Sequence, residues 1–95
     1  MGLADVFKLK GILSKKIKDW ESSDKYFKKS IKIYSQQGDR LNEGETYYEW
    51  GDMSFLKRDE DLSRKRLIKA KKILGSIGTS KHLGEIEEKL NDLKK

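Results

Sequence analysis

Few side chains in this 95-residue chain have the types and spacing that catalysis needs. The chain contains one histidine, His82, and no cysteine, so neither a Cys-His nor a Ser-His-Asp arrangement has a basis in the sequence. Residues 75–78, Gly-Ser-Ile-Gly, lack the Gly-Lys-Ser/Thr ending of a phosphate-binding loop. We therefore expect no enzymatic activity, and we expect His82 to lie on the surface at the start of a helix.

Carboxylates cluster at Asp59, Glu60 and Asp61, and oxygen atoms of this kind could bind a metal ion. A calcium-binding loop also needs a glycine and a distal glutamate at fixed positions, and neither follows here. Without cysteine there is no thiolate metal site either. We expect no metal and no cofactor. The three acids are instead typical of a helix start, where each carboxylate is worth about 0.3–1 kcal/mol.

The composition favours a single helical domain. The chain has no proline, the residue that interrupts helices most strongly, and 40% of its residues are charged. Its 35% of hydrophobic residues can form only a thin core. No apolar segment reaches the roughly 18 residues of a membrane span, and no secretory signal is visible. We expect one all-α domain over residues 1–95, in the cytoplasm and not bound to a membrane.

Apolar residues recur at the helical spacing i, i+3, i+4 and i+7 in five segments. They predict helices at about residues 3–17, 21–37, 42–57, 60–75 and 80–94. The apolar face expected for the first helix comprises Leu3, Phe7, Gly11, Ser14 and Ile17, with Val6, Leu9 and Leu13 beside it. Gly38 and Gly78 suit the left-handed residue that ends a helix. Asn42, with Glu45 three residues on, predicts the start of the third helix, and Thr79 or Ser80 that of the last.

The two halves of the chain repeat at an offset of 40 residues without a gap. The matched pairs are Phe7 and Tyr47, Gly11 and Gly51, Asp19 and Asp59, Ser23 and Ser63, Phe27 and Leu67, Ser30 and Ala70, and Gly38 and Gly78. A glycine inside a helix costs roughly 1 kcal/mol relative to alanine, so its recurrence at one phase indicates a close approach of two helices. This order of large, small and acidic residues resembles the tetratricopeptide repeat (TPR), in the 40-residue-spaced variety that occurs in regulators and scaffold proteins.

The resemblance covers residues 3–40 and 43–80 as two repeats, and residues 81–95 are similar to the helix that caps such arrays. It implies a right-handed superhelix of two antiparallel helix hairpins followed by a capping helix. Lys10 departs from the family, which has an apolar residue there, and the proline that usually follows the second helix is absent. A plain bundle of two hairpins is the alternative, but a bundle has no need to reuse small residues at the same phase.

The resemblance also implies a function, because the first helix of each hairpin in the family lines a concave face that binds proteins. The positions carried over as partner-binding are Lys8, Leu9, Ile12, Lys15, Lys16, Tyr48, Glu49, Asp52 and Phe55, and Asp5, Glu45 and Leu56 also fall at concave positions. We expect them to hold a peptide or a helix of a partner protein. The alternative is that Tyr48 and Phe55 pack against the next helix. Chaperone-binding members have asparagines where Ile12 and Glu49 stand, which argues against a terminal carboxylate as ligand.

The net charge of +6 is unevenly distributed, with seven basic residues and no acidic residue between positions 64 and 82. The basic patch expected on the convex side comprises Arg64, Lys65, Arg66, Lys69 and Lys72. Such a patch could bind nucleic acid or an acidic protein, but the lack of aromatic residues that stack on bases disfavours nucleic acid. Self-association is another alternative: a second copy would cover the open side of the first helix, or the chain would be part of a longer repeat protein.

Overall fold

The computed structural model describes residues 2–94 of the chain. Its five helices are α1 (Leu3–Lys16), α2 (Trp20–Gln37), α3 (Arg40–Lys57), α4 (Glu60–Ser76) and α5 (Leu83–Leu93). No strand occurs among the described residues, so the predicted all-α fold is confirmed. None of the helices described is both long and apolar enough to cross a membrane.

The helices form a flat assembly about two layers thick. α1 packs on α2 and α3 packs on α4, so that the chain forms two hairpins, while α2 also packs on α3 and α5 on α4. The Cα extents are 38 × 32 × 16 Å, which corresponds to about two layers of helices, since a helix with its side chains is roughly 10–12 Å across. The core residues therefore lie in the single plane between the two layers.

The helix-ending turns recur every 20 residues, which is half the repeat that the sequence predicts. Lys18, Gly38, Arg58 and Gly78 all have left-handed backbone angles, with φ between 62° and 75°. In each turn the left-handed residue donates its N–H to the carbonyl three residues back, and the next residue donates to the carbonyl five residues back. The residues that follow the first three turns, Asp19, Asp39 and Asp59, cap the next helix by accepting a backbone N–H at 3.1–3.2 Å. Gly38 and Gly78 thus take the predicted conformation.

Two predicted helix starts were wrong. α3 is capped by Asp39 and not by Asn42, because Asp39 directly follows the left-handed Gly38 and its carboxylate reaches the Asn42 N–H. α5 begins at Leu83, with His82 in a left-handed conformation at its cap position, and not near residue 80. The Thr79 hydroxyl accepts the N–H of Lys81 at 3.1 Å, so it stabilises the preceding turn and leaves α5 without a side-chain cap.

The same small-residue contact closes both hairpins. The Ser23 hydroxyl donates to the Gly11 carbonyl at 2.9 Å, and forty residues later Ser63 donates to Gly51 at the same distance. A Cβ placed on Gly11 would lie 2.6 Å from the ring of Phe27, and one on Gly51 would lie 2.8 Å from the side chain of Leu67. The glycines therefore let the two helices approach closely, as their repetition predicted. Around these contacts the largest buried apolar side chains are Phe27, Tyr34, Met53, Leu67, Ile73 and Ile86.

We predict that the substitutions Gly51→Ala and Gly75→Ala change stability in opposite directions. The new methyl at residue 51 must displace Leu67, and overpacking of this kind costs about 1–3 kcal/mol. Gly75 lies in α4 with nothing within 4 Å of an added Cβ, so alanine there should stabilise by about 0.5–1 kcal/mol. Urea unfolding followed by circular dichroism measures both values. Equal effects at the two sites would contradict the close approach.

Candidate functional site

Two lysines tie α1 to α3. Lys8 Nζ lies 3.1 Å from Glu45 Oε1. Lys15 Nζ lies 2.7 Å from Glu49 Oε1 and 2.8 Å from Asp52 Oδ2. Lys8 and Lys15 are two helical turns apart, so both project from the same side of α1. The five side chains are only 10–21% exposed, which means that the pairs are shielded from water and hold the two helices at a defined distance.

The C-terminal part of the chain adds cations to the same carboxylates. Lys81 Nζ lies 2.5 Å from Glu45 Oε2, and Lys89 Nζ on α5 lies 3.4 Å from Asp52 Oδ1. Glu45 and Asp52 are therefore each contacted by one lysine of α1 and one from the region of α5. We call the surface that α1 and α3 form together on the side of these ion pairs the inner face. Its residues are Lys8, Leu9, Ile12, Lys15, Lys16, Glu45, Glu49, Asp52 and Leu56.

Two members of these ion pairs, Lys15 and Glu45, have pKa values shifted in the direction that favours the charged form. Burial by itself would lower the pKa of the Lys15 ammonium, but hydrogen bonds to Asp52 and Glu49 outweigh it and raise the pKa above its ordinary value. Burial would raise the pKa of the Glu45 carboxyl, but the hydrogen bonds from Lys81 and Lys8 outweigh it and lower that pKa. Lys15 and Glu45 are thus both charged at neutral pH, and each is paired with two side chains of opposite charge.

The two predicted aromatic anchors lie beside α5. The ring of Tyr48 stacks on the imidazole of His82, with centroids 4.4 Å apart and planes 14° apart, and Tyr48 also packs against the core cluster that contains Ile86. Lys89 Nζ lies 5.8 Å from the Tyr48 ring centroid and 5.9 Å from that of Phe55. Tyr48 thus packs against the next helix, which was the alternative interpretation. His82 lies at a helix start as expected, but its side chain is only 25% exposed.

Other predicted residues of the inner face remain open. Leu9 is 46% exposed and Leu56 is 52% exposed. Lys16 is exposed. Ile12, which lies between these leucines and the packed side of α1, is half-buried. The Asp5 carboxylate accepts a hydrogen bond from the Tyr34 hydroxyl, which lowers the pKa of Asp5. The open part of the inner face is therefore apolar, with Lys16 as its exposed cation.

The residues of the predicted basic patch differ in exposure. Lys65, Lys69 and Lys72 are exposed, whereas Arg64 and Arg66 are half-buried. The guanidinium of Arg66 lies 3.8 Å from the ring centroid of Trp50 and donates to Ser54 Oγ at 2.6 Å. Burial lowers the pKa of Arg66. Arg66 is thus a packing residue between α3 and α4, and the remaining patch consists of lysines. Arg64 donates to the Leu93 carbonyl at 3.3 Å and pairs with Asp61.

One surface of α1 differs from the prediction. Leu3 and Ile17 were placed on the packed side of α1, but they are 61% and 76% exposed. Together with Val6 and Leu13 they form a second apolar surface on the other side of the helix, which we call the open face of α1. The sequence of α1 carries apolar residues on more than one side of the helix. A single partner helix covers only one side, so this pattern indicates a further apolar surface.

No group of three or more His, Asp and Glu side chains within residues 2–94 is placed to hold a metal ion. The carboxylates of the inner face are already neutralised by lysines. No protein-family model, curated protein or solved structure matches this chain. Its function is therefore inferred from the contacts of its own side chains.

We predict that Lys15→Met destabilises the fold while Lys16→Met does not. The first substitution leaves Glu49 and Asp52 without their closest cation, and losing charged hydrogen bonds of this type costs about 1–3 kcal/mol. The second removes an exposed lysine at the adjacent position and should change stability by less than about 0.5 kcal/mol. Urea unfolding at pH 7 gives both values. Similarly small changes in the free energy of unfolding for both substitutions would contradict a role of the Lys15 ion pairs in stabilising the fold.

Acid should weaken the contribution of Glu45. Because its pKa in the folded state is lower than the usual 4.5, its contribution to stability is present above pH 4.5 and is lost as the pH falls through the folded value. We expect Glu45→Gln to be less stable than the parent at pH 7 and the difference to shrink between pH 5 and pH 3. Glu88→Gln, at an exposed position of α5, is the control and should change stability by less than about 0.5 kcal/mol at pH 7. Urea midpoints measured across this pH range test the prediction.

Proposed function

We propose that this chain is a protein-protein interaction module of the tetratricopeptide-repeat type, with the two hairpins forming a right-handed superhelix and α5 as its cap. The observation that carries the proposal is the repeated hairpin contact, in which Ser23 and Ser63 bond to Gly11 and Gly51 at the same distance. A repeat built from identical contacts stacks its units in a regular way, and such stacks present an extended surface to partners.

The partner, in this proposal, is a peptide or a helix that lies across the inner face. Leu9 and Leu56 are the exposed apolar contacts, with Ile12 and Phe55 half-buried beside them. Lys16 supplies an exposed charge that would select an acidic group on the partner. The pairs of Lys8 and Lys15 with α3 keep the surface in one shape, which reduces the entropy lost on binding.

The ion pairs change which residues are expected to contact the partner. Lys15, Glu49 and Asp52 bind one another, so a partner would have to break these pairs before it could use them. Tyr48 is covered by His82. The residues that contact the partner are therefore those without a role inside the fold, namely the aliphatic side chains and Lys16.

We expect Leu56→Glu to weaken binding of a captured partner at least tenfold, which corresponds to about 1.4 kcal/mol. A carboxylate at this position would be buried against the apolar contact of the partner. The partner is first identified by affinity capture on the immobilised chain, and its dissociation constant is then measured by calorimetry. Ile68→Glu, at 51% exposure on α4 against 52% for Leu56, is the matched control and should bind as the parent does. Weaker binding by Ile68→Glu alone would place the partner on α4 and overturn the proposal.

A further inference from the structure

The open face of α1 is an apolar surface with no function inside the fold. Leu3, Leu13 and Ile17 are 61%, 52% and 76% exposed, and Val6 is half-buried. Gly11 and Ala4, on the opposite side of the same helix, are buried against α2 and its side chains. Exposed apolar residues are common singly, but several on one helix face mark an interaction surface.

The second hairpin shows what covers this face. Forty residues after Leu3, Val6 and Leu13 stand Glu43, Thr46 and Met53, which are 6%, 0% and 1% exposed, whereas Lys57, the counterpart of Ile17, is exposed. Their side of α3 cannot be covered by α4, because α4 lies against the opposite side, where Gly44 and Gly51 meet Leu74 and Leu67.

It is α2 that lies on this side of α3. α2 packs on α3, and the indole N–H of Trp50 donates to the Asp24 carboxylate at 2.8 Å. The covering element is thus a helix whose acidic residue reaches Trp50. In α1 the position of Trp50 is taken by Lys10, which is exposed. If a helix packed on α1 as α2 packs on α3, an acidic residue at the position of Asp24 would lie next to Lys10.

The charge around the open face selects among the candidates for its occupant. The first hairpin exposes seven lysines, whereas its exposed acids are Asp19 and Glu21. Two copies joined through α1 would bring Lys10, Lys16 and Lys18 of each towards the other, which is unfavourable. The outer side of α5 is acidic, but it exposes no large hydrophobic residue. Neither of these two surfaces of a second copy therefore supplies both the apolar contact and the acids.

We propose that the open face of α1 docks an amphipathic helix of a partner protein, with an apolar stripe against Leu13 and Ile17 and an acidic residue opposite Lys10. The helix would lie on α1 as α2 lies on α3. This surface is on a different side of α1 from the inner face, so the proposal goes beyond the function proposed above and can fail independently of it.

A peptide made from the chain's own covering helix provides the probe. Residues 19–38 keep the α3-facing side chains of α2, and replacing Lys28 and Lys32 with glutamate makes the peptide acidic. The unmodified peptide is the matched control, because it has the same apolar residues and the same length. With a fluorescent label on each peptide, anisotropy against the full chain should show at least tenfold tighter binding of the acidic peptide at 50 mM salt. The preference should shrink as salt screens the charges.

Variants of the chain locate the site. Leu13→Glu and Ile17→Glu should each weaken binding of the acidic peptide at least tenfold, and Lys10→Glu should abolish the preference for it. Ile68→Glu, with exposure similar to that of Leu13, should bind as the parent does, and circular dichroism verifies that every variant is folded.

Three outcomes would overturn the proposal. The first is equal binding of the two peptides. The second is a loss of binding with Leu56→Glu but not with Leu13→Glu, which would place the peptide on the inner face. The third is a concentration-dependent dimer in sedimentation that Leu13→Glu abolishes, which would make a second copy the occupant.

Discussion

The structure depends on the close approach of the two helices within each hairpin. Gly11 and Gly51 leave room for the side chains of Phe27 and Leu67, and a Cβ at either position would lie within 2.8 Å of them. The serine hydroxyl at each crossing bonds to the glycine carbonyl and so is satisfied in a buried place. Since both hairpins use this contact at the same phase, α1 and α3 have equivalent positions in their units. The surfaces proposed for binding follow from that equivalence.

Ion pairs supplement a thin core. With 35% hydrophobic residues the chain has few apolar side chains to spare between hairpins, and α1 meets α3 chiefly through Lys8 and Lys15. Pairs of this kind lose much of their Coulomb energy to desolvation, so their main effect is on which geometry is favoured and less on how stable it is. They define the shape of the inner face and at the same time withdraw their own charges from any partner. This leaves aliphatic side chains and Lys16 as the accessible contacts.

The comparison of α1 with α3 distinguishes folding from binding. The two helices share backbone phase and the same glycine, yet Met53 is buried under α2 whereas Leu13, its counterpart, is 52% exposed. Lys10 occupies in α1 the position that Trp50 occupies in α3. The indole N–H of Trp50 forms a hydrogen bond inside the fold, whereas Lys10 is an exposed cation. The same position therefore contributes to packing in α3 and is accessible to another molecule in α1. The open face and the inner face adjoin on one helix, and a single partner with two segments could contact both.

The sequence by itself determined that residues 2–94 form five helices, though not where α3 and α5 begin, and also the left-handed turns at Gly38 and Gly78 and the phase of the small residues. Each of these follows from a preference that acts within one or two turns of chain. It also contains a 20-residue recurrence of Asp19, Asp39 and Asp59, which is hard to see because Lys18 and Arg58 stand where glycine marks the other two turns. Only the tertiary structure decided that Arg66 stacks on Trp50, that Tyr48 lies under His82, and that Lys15 binds α3 while Lys16 does not. Those partners are 16 to 37 residues apart, and which of them meet depends on the angle and spacing of stacked helices, which no local pattern of residues specifies.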